Sequence, residues 1–343
     1  MRVPSAPWTG ECANLLGMGL PKLVVVTPAL ASANNGNWQT ARRWARFLRA
    51  DYQVRLAQDW QAGNEQVMVA LHARRSAPSI LAWHHAFGGH RPLMLVLTGT
   101  DLYRDIDTDG AAQQSLQLAQ QLVVLNELGL QNLPPALHAK AAVCLQSAPL
   151  RQAQRKTTRH LRVLMVGHLR DEKAPQTYFE AARLLAGRPD IRLDHIGGAL
   201  DEALAAQARA LMQLQPHYRW LGALPHAATR ARIAAAHVLV HPSRMEGGAQ
   251  VIIEALTSGT PLLASRIPGN LGLLGEGYAG IFDCGDALAL VALLQQARDD
   301  AAMLRALQAQ CAARTPLFHP EHERQTLLRL LAGLLHPTTG APA

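Results

Sequence analysis

The sequence predicts an α/β protein of two domains, each alternating strands with helices around a parallel sheet. Three observations lead there. Continuous apolar runs such as KLVVVTP (22–28) and PLMLVL (92–97) have the character of strands buried on both faces. Between such runs fall helical windows, as where Ala41, Trp44, Ala45 and Leu48 recur at i, i+3, i+4 and i+7. A chain of 343 residues with 49% hydrophobic and 17% charged content is long enough for two separate cores.

Residues 1–19 precede the first strand without pattern and read as a disordered tail. The first domain then spans 20–150. Its strand at 22–28 runs into Asn34, Asn35, Gly36 and Asn37, a polar loop that opens the amphipathic helix carrying Trp44. Strand, glycine-containing loop and helix place backbone amides at the carboxyl edge of a parallel sheet, where α/β proteins bind ligands. Further strands are expected at 53–56, 66–71, 121–125 and 141–146, with a helix at 79–86. The strand at 92–97 delivers Thr98, Gly99, Thr100 and Asp101 to its carboxyl end. His72, at the end of an earlier strand, reads as a structural histidine.

The polar, basic run 151–160 reads as a linker. A second domain follows at 161–317, with strands at 162–166, 193–198 and 218–221. Its centre is HPSRMEGGAQVIIEALTSGTPLLAS, 241–265. A short apolar strand at 237–241 turns through Pro242 and Ser243 to an acidic, glycine-rich corner at Glu246, Gly247 and Gly248. The helix after it packs Val251, Ile252, Ala255 and Leu256, ends at Gly259 and Pro261, and is followed by a strand at 262–265. Helices are expected at 288–307 and 320–335, the latter within a closing segment, 318–336.

Composition excludes several classes. No run of about eighteen apolar residues is present, so no transmembrane helix and no stable membrane association are expected. The first nineteen residues lack the pattern of a secretory signal, and the location expected is the cytoplasm. Four distant cysteines and 15 histidines form no metal-ligand spacing, so neither a metal nor a cofactor is expected. A net charge of +8 favours anionic partners. With 5% aromatic residues and no basic stripe between them, nucleic acid is not among those partners.

Two carboxylates stand out. Glu246 and Glu254 are eight positions apart, about 12 Å if the segment rises as a helix, roughly the span of a nucleoside diphosphate sugar from ribose to hexose. Carboxylate oxygens accept hydrogen bonds from vicinal hydroxyls, and the amides of Gly247 and Gly248 offer donors to a diphosphate. Taken alone, the pair reads as a first-turn residue favouring the helix dipole, Glu246, and a solvated face, Glu254.

The whole string, however, resembles the signature of retaining glycosyltransferase family 4, P-S-x-x-E-G-x-G-x-x-x-x-E-A-x-x-x-G-x-P. Pro242, Ser243, Glu246, Gly247, Glu254, Ala255, Gly259 and Pro261 match it. Ala249 stands at the second glycine, with Gly248 one position early. The resemblance implies a GT-B fold: two Rossmann-like domains facing across a cleft, with a UDP-sugar on the second, the acceptor mainly on the first, and a last helix that crosses back to the first domain. GHLRDEKAP (167–175) resembles the family's G-R-x-x-x-E-K-G turn, whose basic residues hold the diphosphate. Lys173 matches its lysine, His168 stands at its arginine and Ala174 at its last glycine, with Arg170 nearby. Trp220 and Leu221 occupy the turn that brackets the base. Where the family has H-G-x-D, this chain has Thr98.

In the first domain, SANNGNWQTARRW, LHARRSA, LTGTDLYRDI, VVLNELG and CLQSAP look most like the selenosugar synthases of the selenoneine pathway. That likeness implies a UDP-hexose donor, UDP-N-acetylglucosamine first, and selenophosphate as the selenium source. The roles it implies are Glu254 on the ribose, Glu246 with Gly247, Gly248 and Ala249 on the hexose, and Lys173 with His168 on the departing UDP. Asn35, Gly36, Asn37, Thr40 and Arg43, together with 98–101, are the expected acceptor site. Two alternatives stand beside it: a family 4 transferase acting on a lipid or polysaccharide hydroxyl, and a sugar-nucleotide binding protein without activity.

Overall fold

The structure is a computed structural model that describes residues 19–29, 36–152 and 154–336. It divides into two compact units, the first ending at 145 and taking up the chain again from 321, the second comprising 146–320.

In the first unit, β1 (Lys22–Val26), β2 (Gln53–Ala57), β3 (Val67–Leu71), β4 (Leu93–Leu97), β5 (Gln121–Val124) and β6 (Ala141–Val143) form one parallel sheet in the order β2-β1-β3-β4-β5-β6. β3 and β4 are buried at every position, as continuous apolar runs require. Alternate side chains serve two cores. Val24, Met68 and Leu95 pack with Ile80 and Trp83 of α2 (Ala77–Phe87) and Leu116 of α3 (Gly110–Leu118). Leu23, Val69 and Val96 pack on the other face with Trp44 and Leu48 of α1 (Gly36–Leu48). Leu327 and Leu331 of the C-terminal helix, Pro320–Leu335, join that second cluster, which is why the end of the chain belongs to this unit. Between β4 and α3 lies a π-helical turn, Asp101–Asp105, that no periodicity in the sequence announces.

In the second unit, β7 (Leu161–Val166), β8 (Ile191–Ile196), β9 (Tyr218–Trp220), β10 (Val238–His241), β11 (Leu262–Ser265) and β12 (Ile281–Phe282) form a second parallel sheet, in the order β12-β11-β10-β7-β8-β9. The connecting helices are α4 (Pro175–Leu184), α5 (Glu202–Leu214), α6 (His226–Ala235), α7 (Gln250–Leu256) and α8 (Pro268–Leu274). The single helix expected at 288–307 is two, α9 (Ala287–Asp299) and α10 (Ala301–Arg314). Asp300 separates them because its carboxylate accepts the Ala302 N–H at 2.7 Å and starts a new helix. The segment expected as a linker lies against this unit: Arg151 N–H donates to the Thr257 carbonyl and the His237 imidazole to that of Thr157.

The strand order reverses between β7 and β10. Connections leave these neighbours in opposite directions, so their carboxyl ends open a crevice, the place where open α/β sheets receive ligands.

Candidate functional site

Both loops at this switch point carry residues singled out in the sequence. After β7 the chain passes Gly167 and His168 to a 3₁₀ turn, Asp171–Lys173, and enters α4 through Ala174, a non-glycine residue at φ 44°. After β10 it passes Pro242 and Ser243 to Glu246. Arg244 N–H donates to the Glu172 carbonyl at 2.9 Å and ties the two loops together. Lys173 Nζ stands 2.5 Å from Glu246 Oε1, with the two side chains 15% and 11% exposed. His241, buried at the end of β10, places Nε2 3.2 Å from the same oxygen without hydrogen-bond alignment. Burial alone would raise the Glu246 pKa; the Lys173 charge and His241 override it and hold the carboxyl far below its ordinary range.

His168 accepts the Gly198 N–H on Nδ1 at 3.0 Å, which puts its own proton on Nε2. Burial, then Arg170 and Lys173, keep it from protonating at its usual pH. It is thus a neutral donor of one hydrogen bond. Behind it, His195 bonds to the Gly167 carbonyl through Nε2 at 3.0 Å and to Tyr218 Oη at 3.2 Å, and burial pulls its pKa down to about 4. The turn also depends on Gly197, where a Cβ would lie 1.8 Å from the Gly167 oxygen. A Cβ at Gly269 would meet the Glu246 backbone carbonyl oxygen at 1.9 Å.

Glu254 sits within α7, not at its start. The helix begins at Gln250, so the rise from Glu246 is only partly helical and the 12 Å estimate does not apply. Its carboxylate is 5% exposed, receives His226 Nε2 at 2.6 Å and lies 3.8 Å from Arg230 Nη1. Arg230 is itself buried and donates to the Pro149 carbonyl. Gly247 and Ala249 are buried and Gly248 half-buried in the approach to α7. Ala249 has φ −67°, so nothing there requires a glycine. Trp220 donates through Nε1 to the Gly197 carbonyl at 2.8 Å, and Leu221 N–H to that of His195, which fixes the turn beside His168. Arg170 is 45% exposed and faces Glu172 at 3.8 Å; it does not join Lys173.

The first-unit candidates fare differently. Asn35 lies outside the described residues. Gly36 and Asn37 open α1, and the Thr40 hydroxyl donates to the Gly36 carbonyl. Arg43 is not available to an acceptor anion, because its guanidinium is clamped on Glu323 of the C-terminal helix, Nε to Oε2 2.9 Å, beside Trp44 Nε1. The 98–101 turn is likewise closed on itself. Asp101, fully buried, accepts the N–H groups of Thr98 and Gly99 and the Thr98 hydroxyl on Oδ1, and the Ala73 N–H on Oδ2. Thr100 meets His72 Nε2 at 3.1 Å. His72, at φ 76° and 1% exposed, is a satisfied structural histidine kept neutral mainly by burial.

Sequence reading missed His241, His226, Arg230 and His195. Three had signals: His241 directly precedes the Pro-Ser turn, and His226 and Arg230 are one helical turn apart on one face. Chemically, the site offers an ammonium and an imidazole N–H to an anion and two carboxylates to hydroxyls. Among the described residues no group of three or more His, Cys, Asp or Glu could hold a metal ion, and no helix is long and apolar enough to cross a membrane.

Residues 146–314 match the family model described as Glycosyl transferases group 1. A GDP-mannose-dependent alpha-mannosyltransferase of Corynebacterium glutamicum is 32% identical over 116 residues, 34% of this chain and 26% of that protein. The match therefore spans about a quarter of that relative's length. Among solved structures, a sucrose-phosphate synthase from Thermosynechococcus elongatus superposes with a TM-score of 0.75 at 17% identity, covering 93% of this chain and 100% of that one. Anabaena Alr3699/HepE, in complex with UDP and glucose, gives 0.72 at 15% identity, covering 91% and 99%. The sheet orders, the switch-point site and these matches lead to one statement: residues 146–314 are a glycosyl transferases group 1 domain, in a chain with the GT-B fold.

Proposed function

We propose that the chain is a glycosyltransferase that joins the hexose of a UDP-sugar, UDP-N-acetylglucosamine first, to the selenium of selenophosphate, acting in the cytoplasm. The observation that carries the donor half is the meeting of Lys173 and Glu246 at the switch point of the second sheet. Lys173 and the His168 Nε2–H neutralise the departing diphosphate, Glu246 with the Gly247 and Gly248 amides holds hexose hydroxyls, and Glu254 takes the ribose. UDP as the nucleotide is supported by the Anabaena structure, a complex with UDP and glucose, while the Corynebacterium relative is named for GDP-mannose.

The selenium half is supported by the first-unit strings. Selenophosphate is already anionic and soft, so its selenium attacks the anomeric carbon without losing a proton, and the bond to the UDP oxygen breaks. Water then cleaves the Se–P bond, giving phosphate and the 1-seleno sugar. With Arg43 and the Thr98 and Gly99 amides committed elsewhere, the anion falls to Gly36, Asn37 and Thr100. A second reading, transfer to a hydroxyl acceptor, is favoured by the mannosyltransferase likeness.

The test is UDP release by the purified protein from UDP-N-acetylglucosamine, with and without selenophosphate made in place under anaerobic conditions, with mass spectrometry of the products. Release that depends on selenophosphate, with a selenium-containing sugar, is the expected result. Release that depends only on hydroxyl acceptors would move the chain to the second reading. Tight UDP binding without release from any UDP-hexose would leave a binding protein.

A further inference from the structure

At the opposite end of the second sheet, where its central strands begin, two arginines stand side by side that no carboxylate among the described residues pairs. The register of β7 and β8 sets Arg162 directly beside Arg192, and both are exposed. In-register neighbours on parallel strands share a face, with Cβ atoms about 5 Å apart. The two side chains therefore leave the sheet side by side, and like charges on directly neighbouring positions repel.

Neither has a carboxylate partner among the described residues. Arg162 Nε donates to His160 Nε2 at 3.3 Å, so the imidazole there accepts and is neutral. The acids nearby are held by other cations: Asp190 by Arg188 and Arg298, and Asp299 by Arg188. Arg298 also donates to the Thr158 and Arg159 carbonyls, which brings exposed Arg159 to the same corner.

Two histidines report the local field. His160 is pushed down by burial and then by Arg192, Arg162, Arg298 and Arg159, with no acid opposing them. His237 is lowered by burial, partly restored by its bond to the Thr157 carbonyl, and lowered again by Lys156, Arg162 and His160. Among the described residues, Lys156 Nζ has no hydrogen-bond partner although it is buried.

We propose that Arg162 and Arg192 form a second anion site, which takes an oxyanion of the phosphate class between their guanidiniums, with Arg159 at its rim. A tetrahedral anion with two or more charges turns the repulsion into two charge-assisted contacts, and guanidinium forks match its geometry. The site is separate from the donor loops. β7 runs six residues from Leu161 to Val166, so Arg162 lies about 13–16 Å from the turn at Gly167.

Calorimetry with inorganic pyrophosphate at low ionic strength tests this on the full chain. Wild type is compared with Arg162→Gln/Arg192→Gln, with Lys173→Met, and with Arg46→Gln/Arg49→Gln, which removes the same charge elsewhere. Binding that survives in Lys173→Met and in the charge control, but weakens about tenfold or more in Arg162→Gln/Arg192→Gln, is expected; tenfold corresponds to about 1.4 kcal/mol. Equal binding in Arg162→Gln/Arg192→Gln, or an equal loss in the charge control, would overturn the site.

Flotation with phosphatidylglycerol vesicles against phosphatidylcholine vesicles separates the sources of phosphate. Capture that needs both arginines assigns a lipid headgroup, and pyrophosphate binding without capture assigns a free phosphate. The absence of both pyrophosphate binding and vesicle capture would overturn the proposal. Without phosphate, the double variant is expected to melt no lower than wild type, since a repulsion is removed. A lower melting temperature would show that the two arginines were not an unpaired couple.

Discussion

Lys173 and Glu246 are 73 positions apart in sequence, yet the lysine Nζ rests 2.5 Å from the glutamate Oε1. Adjacency of β7 and β10 in the sheet brings their loops together, and the Arg244 to Glu172 backbone bond fixes the spacing. Both charges are largely removed from water, so each depends on the other. That dependence makes the pair a sensitive place to test the site.

Lys173→Met should weaken the acid-side pH dependence of stability. In wild type the Glu246 carboxyl is held below its unfolded value, so its contribution is present above the usual carboxylate pKa and is lost as pH falls through the depressed one. Without Lys173 only His241 still opposes burial, so the Glu246 pKa moves upward and the stability that the ionised carboxylate adds near neutral pH shrinks. Breaking a mostly buried pair costs about 3 kcal/mol. The gap in melting temperature between wild type and variant should therefore be wide at pH 7 and narrow as pH falls below the usual carboxylate range; a gap that does not change with pH would count against the pairing.

Glu254→Ala should weaken UDP binding at least about tenfold, by loss of charged hydrogen bonds to the ribose at about 1.5–3 kcal/mol each. Glu246→Ala should mainly lower turnover, because contacts to the hexose tighten as the anomeric centre flattens. Glu254 also neighbours buried Arg230, whose charge would lose its counter-ion in the alanine variant. Glu254→Gln keeps the shape and should weaken UDP less. Calorimetry that finds UDP affinity unchanged in Glu254→Ala would remove the ribose assignment.

The parts of this site visible in the sequence are those in which one short segment supplies both the geometry and the chemistry. Pro242, Glu246, Gly259 and Pro261 mark a turn, a carboxylate and a helix stop within twenty residues, and the apolar strand before them is continuous. What stayed hidden depends on distant packing. Arg43 reads as a basic residue at a helix start, but its partner Glu323 is 280 positions away on a helix that returns to the first unit. Thr98 and Gly99 are the local exception: they read as part of an acceptor site, and the sequence does not show that Asp101, two and three positions on, is buried and turns its carboxylate back onto their N–H groups. His226 meets Glu254 only because α6 packs beside α7.

Two small-residue substitutions should have opposite weight. Ala174 holds φ 44°, which costs an L residue about 1–2 kcal/mol. Ala174→Gly removes that strain but loses a buried methyl worth about 0.8 kcal/mol and adds backbone entropy of about 0.5–1 kcal/mol. The sum is near zero, so its melting temperature should stay close to wild type. Gly197→Ala instead forces a Cβ against the Gly167 oxygen, where the contact is backbone and cannot rotate away. A loss of about 1–3 kcal/mol and weakened UDP binding are expected, and a silent Gly197→Ala would contradict the close crossing of the two loops.

His168→Arg offers the sharpest test of the altered turn, since it installs the residue that the family 4 pattern has at this position. Arginine brings several donors toward an anion but has no acceptor, and the Gly198 N–H now bound to Nδ1 would lose its partner. An unsatisfied amide costs about 1–3 kcal/mol, so His168→Arg should be less stable than wild type even if it holds UDP more tightly. His168→Asn, whose Oδ1 can take the place of Nδ1, should keep stability while losing the Nε2–H. The histidine itself should titrate below its unfolded value, mainly through burial and further through Arg170 and Lys173. Its stabilising contribution is therefore complete above that value and declines as pH falls through the depressed pKa. Arg170→Gln should move the His168 titration upward in NMR without bringing it to the unfolded value, because burial is the larger cause. A His168 that titrates above the usual histidine range would mean that Nδ1 carries a proton and that the bond to Gly198 does not form.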